Sequence, residues 1–178
     1  EIGDDYWGYT TSGGTEGNLY GMYMAREYFD AKDEPLVFVY SDASHYSIPK
    51  NARLLQLSTH TIECGPSGEM RYDALKKTLK EVEPTWPERP GLSISLNIGT
   101  TVTGAVDQVT RINDVLSELG WPREKVLIHA DAALLGLIYP FVEGSPDLFE
   151  NGVSSIAVSG HKFAGTIHPC GIFLTKKS

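Results

Sequence analysis

"SSIAVSGHKFAG", Ser154 to Gly165, runs an apolar stretch straight into Ser-Gly-His-Lys. The first part reads as a buried strand and Gly160 as the point where it stops. A lysine at the mouth of such a strand is costly to desolvate unless its charge is paired or its pKa falls. Lys162 therefore calls for partners, and the rest of the chain can be searched for them.

Apolar, β-branched runs like this one recur: "PLVFVYS" (35–41), "RLLQLS" (53–58), "LSISLNIG" (92–99), "KVLIHAD" (125–131) and "GIFLT" (171–175). Between them Tyr72, Leu75, Leu79 and Val82 repeat at helical spacing, as do Val109, Ile112, Val115, Leu116 and Leu119. Another helix is expected from near Thr15, with Leu19, Met22, Ala25 and Phe29 on its apolar side, ending before "DAKDEP". Near-continuous apolar strands alternating with helices predict an α/β fold, a mostly parallel sheet with helices on both faces. "EPTWPERPG" (83–91) reads as a Pro-rich surface loop within one domain.

The chain of 178 residues is long enough for one domain with a real core. Its net charge of −8, without any basic run interleaved with aromatics, argues against nucleic acid as a partner. The longest apolar runs, such as "AALLGLIYPFV" (132–142), are shorter than the roughly 18 residues of a membrane span. No stretch resembles a signal peptide, so a soluble, cytoplasmic protein without membrane contact is expected. Cys64 and Cys170 lack metal-ligand spacing and read as ordinary thiols. The five histidines (45, 60, 129, 161, 168) likewise show no ligand spacing, so no metal site is expected. With no initiator Met and an end directly after a strand-like run, the chain reads as a piece of a longer polypeptide.

In open parallel sheets, ligands bind beyond the carboxyl ends of the strands. Ser41 to His45, Gly99 to Thr103, Asp131 and Ser159 to Lys162 are all expected on that rim. "TTSGGTEGN" (10–18) sets small residues before a helix, where backbone N–H groups and the helix dipole can hold an anion. The same residues also fit a capped turn built on Ser12 or Thr15. Asp131 ends a buried strand; either it caps a following helix or it holds a heterocyclic nitrogen protonated. His129 could bond to that aspartate or fill core space. His45 is either a surface residue or a flat ring able to stack on an aromatic ligand. Thr100, Thr101 and Thr103 stabilise a turn or offer a hydroxyl to the site. An amine at a strand end, an anion-binding helix start, a buried carboxylate and a stacking imidazole together match the needs of pyridoxal 5′-phosphate.

"DDYWGYTTSGGTEGN", "SDASHYSIPKNARLL", "NIGTTVTGAVD", "LIHADAALLG" and "VSGHKFAGTIHPCGIF" resemble, in order and spacing, the group II pyridoxal-phosphate-dependent amino acid decarboxylases. Within the group the resemblance is to bacterial histidine decarboxylases and plant serine decarboxylases. It implies a fold type I, aspartate-aminotransferase-like large domain, pyridoxal 5′-phosphate as cofactor, and a small-molecule amino acid as substrate. Histidine ranks first and serine second. It further implies Lys162 as the residue that forms the Schiff base and Asp131 as the partner of the pyridinium nitrogen. His45 would cover one ring face and Ala133 the other. Gly14, Thr15, Ser159 and His161 would contact the phosphate, and Thr101 would sit near the cofactor or the substrate carboxylate. Residues 1–178 would form the central part of the large domain, without the family's N-terminal segment and C-terminal small domain. Active sites at a homodimer interface are implied, so this piece alone is not expected to be active. "TIHPCG" (166–171) departs from the family, since His168 stands where an apolar residue is usual. The competing expectations are an aminotransferase or another lyase on the same fold, or a non-catalytic remnant.

Overall fold

The computed structural model describes residues 5–83 and 88–177. Its elements are β1 (Tyr6–Thr11), α1 (Gly14–Asp30), β2 (Leu36–Ser41), α2 (Ser47–Leu54), β3 (Ser58–Ile62), α3 (Tyr72–Val82), β4 (Gly91–Asn97), α4 (Val109–Glu118), β5 (Val126–Asp131), β6 (Ser155–Ser159) and β7 (Gly171–Lys176). The strands form one sheet in the order β1-β7-β6-β5-β4-β2-β3. Strands β3, β2, β4, β5 and β6 pair in parallel, and β7 runs antiparallel to both β6 and β1.

Alternation along the strands separates two packed faces. Val37 and Val39 of β2, with Leu92, Ile94 and Leu96 of β4, join Leu75 and Leu79 of α3 and Ile112 of α4 in one cluster. Phe38 points the other way and packs with Met22 of α1 and Ile48 and Ala52 of α2. The helical spacing read in 72–82 and 109–119 thus corresponds to α3 and α4, whose apolar stripes are buried.

Helix α1 lies close to the sheet because its contact face is glycine. A Cβ on Gly14 would come within 2.8 Å of Ala133 Cβ, and on Gly17 within 2.8 Å of Ala157 Cβ. On Gly21 it would come within 2.4 Å of His129 Nδ1. Glycine inside a helix costs about 1 kcal/mol against alanine, so these three positions exchange local propensity for close approach. The start of α1 is thereby brought to the carboxyl ends of β5 and β6.

Two sequence expectations need correcting. The strand expected at 53–58 is instead the end of α2 and a turn, with Gln56 at a φ of 56°, and the strand follows at Ser58–Ile62. Leu54, which gave that stretch its apolar look, is 69% exposed, while the true strand is a polar edge with Ser58, Thr59 and Thr61 exposed. No helix follows Asp131 directly; residues 133–138 form turns, and Asp131 instead accepts the Ala133 N–H at 3.2 Å. Strand β1 and helix α2 were not anticipated. Of the expected loop at 83–91, residues 84–87 lie outside the described residues. Among the described residues no helix is long and apolar enough to cross a membrane, and no His/Cys/Asp/Glu group could hold a metal ion.

Candidate functional site

Beyond the ends of β5 and β6, facing the start of α1, lies a cleft of about 260 Å³. Gly14, Thr15, His45, Asp131, Ala133, Ser159, His161 and Lys162 all line it. Residues from four separate stretches of sequence therefore meet at one rim, as the sheet topology demands.

Asp131 forms the floor. It is 6% exposed and accepts one backbone hydrogen bond, from Ala133 N–H at 3.2 Å. Burial pushes its carboxyl above the usual carboxylate range, against the opposing pull of the Ala133 N–H, the Asn18 amide and the charges of Lys162 and His45. A buried carboxylate without a cation against it is suited to a cationic N–H ligand.

The helix end forms an anion cradle. Gly13 has a φ of 148°, in the region that favours glycine, and a Cβ there would meet His161 Cε1 at 3.1 Å. Ser159 Oγ accepts the Gly14 N–H at 3.1 Å, which leaves the Ser159 hydroxyl hydrogen to donate into the cleft. His161 Nδ1 lies 3.0 Å from the Cys170 carbonyl, which fixes the ring at the rim. Glu16 does not cap the cradle from above: its carboxylate turns back to Ser12 N and Ser12 Oγ, at 2.8 and 2.7 Å.

His45 stands on the opposite wall. The Ser47 N–H donates to its Nδ1 at 3.3 Å, so the remaining ring proton sits on Nε2. Burial lowers its pKa, with Lys162 and Lys50 acting in the same direction and Asp131 against them. The ring is thus neutral and flat at physiological pH.

Lys162 differs from the expectation that opened the sequence reading. It lies on an exposed turn, and residues 161–169 are exposed throughout, including Phe163 at 61% and Ile167 at 95%. The desolvation argued for it is absent in this chain, because the turn projects past the strand end.

Thr101 is not brought into this cleft. It lines a neighbouring pocket of about 470 Å³ that shares the His45 and Tyr46 wall. Thr100 and Thr103 hold the turn, with their hydroxyls 2.8 Å apart and Thr100 Oγ1 accepting the Ala105 N–H. Asn18 lines the cleft without having been singled out from sequence. For Asn18 the available signal was its place one helical turn after Gly14, on the same glycine-lined face.

The donor set fits pyridoxal phosphate on three features seen here: a buried carboxylate lining the cleft, a glycine cradle that side chains would fill, and an accessible amine. Residues 7–178 match the family described as "Pyridoxal-dependent decarboxylase conserved domain". The chain is 46% identical over 173 residues to a histidine decarboxylase of Klebsiella aerogenes, covering 97% of this chain and 43% of that protein. It is 43% identical over 175 residues to a histidine decarboxylase of Pseudomonas entomophila, covering 98% and 41%. The chain thus spans about two fifths of the length of these relatives. Among solved structures it is similar to L-methionine decarboxylase from Streptomyces sp. 590, with a TM-score of 0.76 and 25% identity, covering 96% of this chain and 51% of that one.

Proposed function

Since the chain belongs to the pyridoxal-dependent decarboxylase family, we propose that the whole protein converts an L-amino acid to its amine and CO2, with histidine as substrate and histamine as product. The observation that carries this reading is the convergence of Lys162, Asp131, His45 and the Gly13–Gly14 cradle on one cleft. Similarity to histidine decarboxylases of 43–46% identity supports histidine as the substrate.

Pyridoxal phosphate, when bound, supplies an electron sink for the carbanion left at Cα when CO2 departs. Lys162 offers the amine that would hold the cofactor. Asp131, ionised beside a cationic N–H, keeps the ring nitrogen protonated. Gly14, Thr15, Ser159 and His161 hold the phosphate through the helix start, a hydroxyl and a ring. The neutral ring of His45 would cover the cofactor from one wall of the cleft and Ala133 from the other. Together they hold the reacting Cα bond in one orientation, the requirement that selects which bond breaks. Thr101, which lines the adjoining pocket, would meet the substrate rather than the phosphate.

We assign Phe163 and Ile167, exposed beside Lys162, to a contact with a second copy in a homodimer. Residues 1–178 then form the central part of the large domain, completed by the rest of the chain and its partner.

The test is the full-length protein with pyridoxal phosphate, offered a panel of amino acids including histidine and serine, with products identified by mass. Histamine is expected. Ethanolamine would make serine the substrate. Keto acids without amine would indicate transamination, and no product from a folded, cofactor-loaded enzyme would indicate a non-catalytic relative.

A further inference from the structure

Beneath the cleft, between α1 and the sheet, runs a chain of four buried polar side chains: Ser155, His129, Asn18 and Asp131, respectively 7, 2, 1 and 6% exposed. Ser155 Oγ lies 2.8 Å from His129 Nδ1, and His129 Nε2 lies 3.0 Å from Asn18 Oδ1. Asn18 and Asp131 line the same cleft, and the Asn18 side chain acts to lower the Asp131 pKa, as a donor to its carboxylate would. Room for the imidazole comes from Gly21, where any side chain would occupy the ring's position. Phe173 stacks beside it, with the ring centroids 6.4 Å apart.

The chain has a direction. Burial lowers the His129 pKa to about 4, so the ring is neutral and has one donor and one acceptor. Asn18 Oδ1 can only accept, so the proton is on Nε2. Nδ1 must then accept from the Ser155 hydroxyl. With its carbonyl committed to His129, Asn18 can present only its NH2 to Asp131. The opposite amide orientation would set a carbonyl oxygen against a carboxylate and drive a proton onto Asp131. The other groups that act on Asp131 are the Ala133 N–H and, from the cleft walls, His45 and Lys162. His45 and Lys162 are the groups that ligand binding engages, whereas Asn18 reaches Asp131 from α1 and is held from below.

We propose that His129 is a positioning residue that fixes the amide orientation of Asn18, so that Asp131 is held as the carboxylate which keeps the cofactor's ring nitrogen protonated. This rests on the pyridoxal phosphate reading above.

The test uses the full-length holoenzyme, with 15N-labelled histidine and with pyridoxal phosphate 15N-labelled in its ring. In the wild type the His129 signal is expected to be that of the neutral Nε2–H tautomer between about pH 5 and about pH 8, and the cofactor ring nitrogen is expected to be protonated. In His129→Phe the ring nitrogen is expected to lose its proton about one pH unit earlier or more, and turnover to fall about ten- to hundredfold, the scale of one hydrogen bond to a charged group. His129→Gln, with one donor and one acceptor, should recover both. Asn18→Leu should reproduce His129→Phe, and serves in its place if His129→Phe does not fold. An Nδ1–H tautomer in the wild type, or a wild-type ring-nitrogen signal in loaded His129→Phe or Asn18→Leu, overturns the proposal. A wild-type protein that takes up no pyridoxal phosphate overturns the functional reading itself, before any variant is compared.

Discussion

Replacing Gly21 by alanine sets two effects of opposite sign against each other. Helix propensity alone favours the change by about 1 kcal/mol. The new Cβ, however, would lie 2.4 Å from His129 Nδ1 and 2.6 Å from its Cε1. Real contacts of that kind need a separation larger by about 1 Å, and His129 has little room to withdraw, being 2% exposed and stacked on Phe173. Overpacking of this kind costs about 1–3 kcal/mol. A shift of about 1 Å also breaks the bond to Ser155 or to Asn18, leaving a buried partner unsatisfied at about 1–3 kcal/mol. The net expectation is a loss of about 1–5 kcal/mol, read as a lower urea midpoint at unchanged slope for the full-length protein. A Gly21→Ala protein as stable as the wild type, or more so, would show that propensity wins and would refute the close packing of α1 on β5.

Asp131→Asn should lower turnover by orders of magnitude with cofactor bound, while leaving the cofactor-free protein no less stable, because it removes a buried charge whose desolvation is poorly offset; equilibrium unfolding and steady-state rates check the two halves. Gly14→Ala should weaken cofactor binding at least tenfold, since the added methyl meets Ala133 and Ser159 at 2.8 and 2.9 Å, as measured by cofactor titration. Asp107→Ala should cost about 3 kcal/mol or more, because Met70 N, Asn97 N and Asn97 Nδ2 all donate to it at 2.7–2.8 Å; chemical denaturation reads this. His129 contributes a pH dependence of known sign. Its folded pKa of about 4 lies below the ordinary 6.5, so the unfolded chain binds the proton first and stability falls as pH drops from about 6.5 to about 4. The loss approaches about 3 kcal/mol, and wild type should show it against a His129→Gln protein that does not.

The candidate site residues were legible because they stand at strand ends, where a polar residue interrupts an apolar run; Asp131 and Ser159 are such cases. Helices α3 and α4 were legible from one-sided burial. Strand β1 was not, since an edge strand with Trp7 42% exposed and a glycine in its middle carries no clean alternation. Helix α2 was hidden by Pro49, which sits in its first turn where proline is tolerated but which reads as a turn in sequence. The Ser155–His129–Asn18 chain could not be read at all, because Asn18 and His129 are 111 residues apart and meet only through the glycine face of α1.

Reductive trapping of the full-length protein with borohydride in the presence of pyridoxal phosphate, followed by peptide mapping, tests the central assignment most directly. The cofactor mass is expected on Lys162, with no stable adduct in Lys162→Ala. A label on any other lysine, or none on a folded wild-type protein, would contradict the account of this cleft as the cofactor site.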